Sequence, residues 1–242
     1  MTAGDRIPPD GLTYDRIRRD LLAGAYGPGQ RLPIAALCER YGAGLSVARE
    51  ALTRLAEQGL IRAERNRGFA TIPLSVDELE DLMLARVQIE EACLRRSMVR
   101  GDTRWEASVV AAHHALTKAP RVEDPAADPA GCAEWTEAHA AFHAALCAAS
   151  ASPRLLELRQ SLFDTAEIYR TWLRPPGGLR DRAAEHREIM DAVLVRDSAK
   201  ACALMTVHIT RTSDQLMGTA RDGLAAYPVG VDRDKADRDK GA

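Results

Sequence analysis

The stretch Gly42-Ala-Gly-Leu-Ser-Val-Ala-Arg49 decides the fold of the N-terminal part of this chain. Two of its first three residues are glycine, which predicts a tight turn because glycine adopts backbone angles that other residues disfavour. Apolar residues at helical spacing predict a short helix over Ala35–Tyr41 and a longer one over Ser46–Gln58. Gly59 ends the longer helix. Two helices joined by a short glycine-containing turn are typical of a helix-turn-helix.

The sequence on either side of these helices extends the pattern. Thr13–Leu22 is amphipathic and predicts a first helix. Two β-prone runs, Leu60–Arg62 and Phe69–Ile72, flank the polar turn Glu64–Gly68 and predict a small hairpin. Three short helices and a hairpin make a winged helix-turn-helix, whose third helix enters the major groove while the hairpin, or wing, meets the minor groove or phosphates. We therefore predict a DNA-binding domain over residues 12–73.

The third predicted helix and the wing carry the candidate DNA contacts. Ser46 and Val47 open the helix, and Arg49 lies one turn further on, where a guanidinium can reach guanine O6 and N7 or a phosphate. The wing turn offers two arginines for phosphates or a narrow minor groove, and a glycine that permits close backbone approach. Other uses stay open: Arg49 or Arg54 can pair with a neighbouring glutamate, and the wing arginines can be solvated turn residues.

Several pieces of this region together resemble the DNA-binding head of the GntR family of regulators. They are Pro28-Gly-Gln-Arg-Leu-Pro33, Ala48-Arg-Glu-Ala-Leu52, Arg54-Leu55, Glu57-Gln-Gly-Leu-Ile61 and Arg67-Gly68. The resemblance covers residues 12–73 and implies that the protein binds double-stranded, palindromic operator DNA as a homodimer. With it, the candidate DNA-binding residues are Arg31, Ser46, Val47, Arg49, Arg54, Arg65, Arg67 and Gly68.

The turn departs from the family pattern Gly-Val-Ser-Arg-Thr-Pro-Val-Arg. Gly44 stands at the position of a helix-capping serine, and Leu45 at that of a DNA-contacting arginine. Ala35 stands where some members carry another contacting arginine. Leu45 removes a charge from the recognition surface, so the operator sequence and affinity of typical members do not carry over to this chain.

After Pro73 the sequence predicts helices only. Ser75 is a predicted N-cap, and Glu78 three residues later completes a capping box. Proline, glycine and aspartate breakers separate predicted helices at residues 76–100, 103–118, 131–150, 153–173, 179–196 and 198–221. The predicted fold class is therefore mainly α, a winged helix-turn-helix followed by an all-α six-helix bundle with room for a cavity. The bundle spans residues 74–224, with a flexible arm at 1–11 and a charged, disordered tail at 225–242.

Four histidines occupy places where the bundle can bring them together. His139 and His143 lie four residues apart and share one helix face. His186 opens the next-to-last predicted helix and His208 lies on the last, so an antiparallel pair of helices can set them side by side. Imidazole suits zinc, nickel, copper or iron. The alternative is four ordinary surface or core histidines.

Four runs in this half resemble the FCD ligand-binding domain of the FadR subfamily of GntR regulators. They are Ala141-Phe-His-Ala-Ala-Leu146, Ser150-Ala-Ser-Pro-Arg-Leu-Leu156, Glu185-His-Arg-Glu-Ile-Met-Asp-Ala192 and Arg196-Asp through His208. The resemblance implies a divalent metal held by one aspartate and three histidines, beside a pocket for small carboxylates. The implied metal ligands are His139, at the aspartate position, with His143, His186 and His208. An all-nitrogen set favours zinc or nickel as the cofactor over manganese.

Arg86 and Glu90 match an Arg/Glu pair of the same family. They are the predicted ligand-binding residues, because Arg86 can bind an effector carboxylate bidentately. The alternative is an intrahelical ion pair between Arg86 and Glu90 on a solvated face.

Charge and composition fit a cytoplasmic DNA reader. Residues 1–74 hold eleven arginines and no lysine against eight acidic residues, whereas the remainder holds 22 basic and 27 acidic residues. A basic head on an acidic body suits a nucleic-acid binder with a separate partner domain. No apolar run approaches the roughly 18 residues of a membrane span, and the N-terminus has no signal-peptide core. We therefore expect a cytoplasmic protein with no membrane partner.

Three functions compete at this point: a regulator that senses metal and effector, a helical metalloenzyme, and a regulator with a metal-free pocket. An enzyme needs an open coordination position and a general base, and nothing fixes Glu137 or Glu185 in that role. It also leaves residues 12–73 without a purpose. We therefore predict a homodimeric transcription regulator with no catalytic residues, whose operator binding responds to a small carboxylate effector.

Overall fold

The computed structural model describes residues 9–65, 67–120, 129–173 and 182–226. Within these ranges the N-terminal domain is built from α1 (Pro9–Leu22), α2 (Ile34–Tyr41), α3 (Leu45–Glu57), β1 (Ile61–Glu64) and β2 (Gly68–Thr71). The C-terminal domain is built from α4 (Val76–Arg100), α5 (Thr103–Lys118), α6 (Pro129–Cys147), α7 (Pro153–Leu173), α8 (Arg182–Leu194) and α9 (Ser198–Ala226). The predicted fold class, a winged helix-turn-helix followed by an all-α bundle, is confirmed.

The core of the N-terminal domain lies where α1 packs across α3. Ile17 and Leu21 of α1 and Leu52 and Leu55 of α3 are at most 1% exposed. Burying a side chain of this size stabilises a fold by about 1.5–3 kcal/mol. The scaffold therefore holds α3 firmly by one face and leaves its other face in solvent.

The wing is an antiparallel hairpin in which Ile61 lies opposite Thr71. Its strands differ by one or two residues from the predicted β-prone runs. A backbone bridge between Arg31 and Ala70 places the segment before α2 beside the wing. The wing is thereby tied to the helices at its base.

The first helix is longer than the sequence pattern predicts. α1 begins at Pro9 instead of Thr13, so residues 9–11 are helical and do not belong to the predicted arm. Proline is favoured at the first helical position because its missing N–H has no partner there anyway. At the other end, α9 runs to Ala226, two residues into the predicted tail. The rest of the arm, 1–8, and of the tail, 227–242, lies outside the described residues.

The start of α4 confirms half of the predicted capping box. The Glu78 backbone N–H donates to Ser75 Oγ at 3.2 Å. The Glu78 carboxylate does not reach back to the cap; it pairs with Arg62 on β1. The second half of the box is therefore wrong, because a guanidinium of the other domain competes for that carboxylate.

α4 is the central helix of the bundle and packs against both α7 and α9. Leu79 and Met83 of α4 are 0% and 3% exposed, so they belong to the core. In the described part of the chain, no helix is both long and apolar enough to cross a bilayer.

α7 also joins the two domains. Arg18 of α1 donates to Asp164 Oδ2 from Nε at 3.0 Å and from Nη2 at 2.6 Å. Trp172, two turns further along α7, donates from Nε1 to the Tyr26 carbonyl at 2.8 Å. One helix of the C-terminal domain thus holds both α1 and the segment that follows it.

Candidate DNA-binding surface and metal centre

The N-terminal end of α3 is an open surface. Gly44 precedes it in an extended conformation with no side chain to cap the helix. Leu45, Ser46 and Arg49 are exposed, whereas Val47 is half-buried. Backbone N–H groups and exposed side chains at a helix start are suited to a DNA backbone or base edge.

The two arginines of α3 differ in their surroundings. Arg49 forms no ion pair with any residue in the described ranges, so the glutamate pairing considered for it is not seen there. The Arg54 guanidinium lies over the Tyr14 ring, 4.3 Å from its centroid. Cation–π contact of this kind fixes a side chain against the scaffold, which gives Arg54 a structural partner on α1.

The wing turn presents the other predicted contacts. Arg65 and Arg67 are both exposed, and the Arg67 backbone N–H closes the turn by donating to the Glu64 carbonyl at 3.0 Å. Gly68 has φ +91°, a conformation that side-chain-bearing residues rarely adopt. Arg31 is exposed at the base of the wing. Exposed arginines therefore lie at the base of the wing and at its tip, where the exposed Glu64 ends β1 beside Arg65.

The bundle brings the four predicted histidines together. One ring nitrogen from each of them lies within 4.8 Å of the corresponding nitrogens of the others. His139 and His143 come from α6, His186 from α8 and His208 from α9, and each is at most 6% exposed. The His186 and His208 ring centroids are 4.7 Å apart. Three helices therefore converge on one buried cluster of imidazoles.

These imidazoles are prepared to act as neutral ligands. Burial, followed by the charges of neighbouring histidines and arginines, holds the pKa values of His139 and His143 well below the ordinary histidine range. Neither ring nitrogen of His143 has a hydrogen-bond partner among the described residues. Buried polar atoms without a partner are rare in folded proteins. The donor set therefore fits a transition-metal ion, which requires neutral imidazole.

A carboxylate orients one member of the cluster. His208 Nδ1 lies 2.8 Å from Glu185 Oε2, and Arg211 donates to Glu185 Oε1 at 3.0 Å. A histidine held in this way through one nitrogen presents the other to a metal. Glu185, which sequence alone offered as a possible general base, is thus engaged in orienting His208.

Arg86 and Glu90 lie inside the domain, so the solvated ion pair considered for them is wrong. Arg86 is 4% and Glu90 0% exposed, and Arg86 Nε is 3.8 Å from Glu90 Oε1. Sequence reasoning missed Arg159, which donates from Nε to Glu90 Oε2 at 3.1 Å. The i, i+4 spacing of Arg159, Phe163 and Glu167 on one face of α7 was the available signal.

Phe163 connects the arginines to the histidines. The Arg86 and Arg159 guanidiniums lie 4.7 and 4.9 Å from its ring centroid, and the ring of His143 lies 5.5 Å from it. Burial lowers the pKa of Arg86, although Glu90 acts in the opposite direction. Arg86 Nε has no hydrogen-bond acceptor in the described chain. A buried cation beside the histidine cluster is therefore available to an anion.

Two family models match the chain: the gntR family of bacterial regulatory proteins over residues 12–70, and the FCD domain over residues 81–211. This protein belongs to the GntR family. Among similar sequences, the HTH-type transcriptional repressor GlaR of Escherichia coli (strain K12) is 34% identical over 201 residues, which span 81% of this chain and 90% of GlaR. The uncharacterized HTH-type transcriptional regulator BphR of Paraburkholderia xenovorans (strain LB400) is 33% identical over 202 residues, which span 81% of this chain and 80% of BphR.

Solved structures share the GntR-family fold along most of the chain. Escherichia coli McbR/YncC superposes with a TM-score of 0.73 at 17% identity, covering 87% of this chain and 98% of its own. A putative transcriptional regulator GntR from Rhodococcus sp. RHA1 superposes with a TM-score of 0.69 at 21% identity, covering 88% of this chain and 99% of its own. These structures show the fold alone. The two family models and the curated relatives show that the GntR-family protein described here is a DNA-binding transcription regulator with an FCD effector domain, and not an enzyme.

Proposed function

We propose that this regulator binds operator DNA as a homodimer, and that a small carboxylate effector bound beside a divalent metal ion in the FCD domain controls that binding. The observation that carries the proposal is the buried cluster of four histidines, whose ligand nitrogens lie within 4.8 Å of one another. We assign the protein to the FadR subfamily and expect it to act on DNA in the cytoplasm. We expect it to be a repressor, as GlaR is named.

The four histidines hold the ion. His143 is the central ligand because it is fully buried and has two ring nitrogens without a partner in the described residues. His139, His186 and His208 complete the set. Imidazole nitrogens favour zinc or nickel over the harder manganese or magnesium. The ion supplies a fixed positive centre that attracts carboxylate oxygens.

Arg86 binds the far end of the effector. Glu90 does not neutralise it fully, because Arg159 holds one Glu90 oxygen at 3.1 Å while Arg86 stays 3.8 Å from the other. The Glu90 carboxylate positions the two guanidiniums, and Arg86 keeps donors for an incoming anion. Bidentate contact with a carboxylate matches the planar fork of arginine.

DNA contact is assigned to the exposed arginines of the N-terminal domain. Arg49 reads base edges from α3, and Arg65, Arg67 and Arg31 contact phosphates or the minor groove along the wing. Ser46, Val47 and Gly68 bring the backbone close to DNA. Arg54 stabilises the domain through Tyr14 and reaches DNA only at the edge of the surface.

Metal content and thermal melting test the centre. We expect the wild type to contain about one zinc or nickel ion per chain, because a site with four ligands binds one ion. The melting temperature should fall when a chelator removes the ion. His143→Ala and His186→Ala should lose the ion and the chelator effect. His114→Ala, an exposed histidine on α5, is the matched control.

Two outcomes separate the competing functions. If wild type with and without chelator melt alike, and neither variant changes the metal content, the histidines line a metal-free pocket. If the metal is present but operator affinity is the same in the metal-loaded, chelated and effector-saturated states, the centre does not regulate DNA binding.

A further inference from the structure

Leu45 is an exposed leucine on a helix whose other leucines are buried. It is 60% exposed, whereas Leu52 and Leu55 of the same helix are 0% exposed. A scattered apolar side chain on a surface is ordinary by itself. Leu45, however, is the first residue of α3, and the N-terminal residues of a recognition helix contact base edges.

Leu45 is accessible to a molecule that binds the N-terminal end of α3. Gly44 before it is extended, with φ −69° and ψ 157°, and provides no capping side chain. Apart from its two chain neighbours, a methyl group placed on Gly44 would meet no described atom within 4 Å, so the space beside Gly44 is open. Leu45 and Arg49 are four residues apart and therefore lie one turn apart on the same helix face.

The chemistry of the major groove restricts what a leucine can recognise there. Base edges present hydrogen-bond donors and acceptors, with which leucine cannot form hydrogen bonds. They also present one apolar group, the C5-methyl of thymine. Setting leucine against a polar base edge would remove that edge from water without replacing its hydrogen bonds. We propose that Leu45 reads a thymine in each operator half-site through its 5-methyl group, next to the position that Arg49 contacts.

This inference rests on the proposed function, in which α3 is the recognition helix. The test therefore separates the thymine contact of Leu45 from DNA recognition by α3. The full-length wild type and Leu45→Ala each select binding sites from random-sequence duplex DNA. Each thymine of the wild-type consensus is then replaced by deoxyuridine, which lacks only the 5-methyl group. Affinities are measured at one fixed salt concentration, because phosphate contacts make binding salt-dependent.

We expect one thymine per half-site at which removal of the methyl weakens wild-type binding about fourfold, the value of one buried methyl-sized group. Replacement in both half-sites should weaken it about 15-fold, because separate positions add in free energy. Leu45→Ala should bind thymine and uracil duplexes equally. Leu158→Ala, which alters a leucine 54% exposed on α7, should retain the wild-type response.

Leu45→Arg provides a second readout with a gain of function. Arginine donates to O6 and N7 of guanine, so this variant should select guanine where the wild type selects thymine. The proposal is overturned if Leu45→Ala selects the same consensus with the same sensitivity to deoxyuridine, or if Leu45→Arg still selects thymine. Failure of the wild type to select any sequence would instead contradict DNA reading by α3 itself.

Discussion

Arg49 tests the recognition surface at the scale of a single residue. Its guanidinium is exposed on α3 and has no ion pair within the described residues. Arg49→Ala should weaken binding to the selected operator by about 1–3 kcal/mol, the value of a bidentate base contact. Its affinity for unrelated duplex DNA should change much less. Fluorescence anisotropy with both duplexes at one salt concentration measures the difference.

Arg67 provides the matched comparison on the wing. It is an exposed turn residue, and a proposed phosphate contact there would carry no base information. Arg67→Ala should weaken specific and unrelated duplexes alike and reduce the slope of log affinity against log salt by about 1. If Arg49→Ala behaves in the same uniform way, α3 does not read bases through Arg49.

Removal of the buried Arg159 should destabilise the fold. It is 2% exposed and donates to the fully buried Glu90. Arg159→Ala leaves the buried Glu90 carboxylate with the Cys147 thiol at 3.3 Å and Arg86 at 3.8 Å, and neither replaces the lost charged hydrogen bond. Breaking a buried ion pair costs about 3–5 kcal/mol. Arg154→Ala removes an arginine whose side chain is 93% exposed and should leave stability almost unchanged. Urea unfolding of both variants decides this; equal midpoints would refute the buried pair.

At the scale of elements, α7 contacts both domains. Asp164 faces Arg18 of α1, and one residue earlier Phe163 lies under the Arg86 and Arg159 guanidiniums. A shift of α7 on effector binding would therefore act on the DNA-binding domain directly. Contacts on two faces of one rigid helix are a physical route by which two sites can be coupled.

The Arg18–Asp164 contact has a defined pH dependence. Burial raises the pKa of the Asp164 carboxyl above its ordinary 3.8, although Arg18 acts in the opposite direction. The folded state thus binds this proton more tightly than the unfolded state. Stability relative to the non-titrating Asp164→Asn therefore decreases as the pH rises from 3.8 through the raised pKa. Urea unfolding of both proteins at successive pH values measures this difference, with the exposed Asp77→Asn as control; a difference that grows with pH contradicts the assignment.

The elements also show how far sequence patterns reach. Breakers at Gly101 and Pro153 punctuate the chain locally, so the bounds of α4, α5 and α7 were predicted correctly. The convergence of the histidines followed from the i, i+4 rule and family resemblance. The pairing of Arg18 with Asp164 joins residues 146 positions apart, and no local periodicity encodes such a contact. The same holds for Arg159 and Glu90, whose burial depends on how α4 and α7 rotate about their axes.

At the scale of the whole molecule, each chain presents one α3 and one wing, which suit one operator half-site. The proposed palindromic operator would repeat its half-sites roughly every 34–36 Å on one face of the duplex, so the proposal requires two chains to act together. Leu84 on the outer face of α4 is 63% exposed, and Val207 on the neighbouring α9 is 44% exposed. These apolar side chains of the FCD domain are suited to a contact between two copies.

The homodimer can be tested by placing a charge on that face. Leu84→Asp should give a monomer by light scattering at micromolar concentration where the wild type is a dimer, because an unpaired carboxylate is costly to bury in an interface. The variant should bind a single half-site as the wild type does but lose the extra affinity for the palindrome, since the second α3 is no longer held nearby. Leu158→Asp introduces the same charge at a comparably exposed leucine on α7 and should remain dimeric. A wild-type monomer would refute the homodimer outright, whereas a dimeric Leu84→Asp protein would move the interface away from α4.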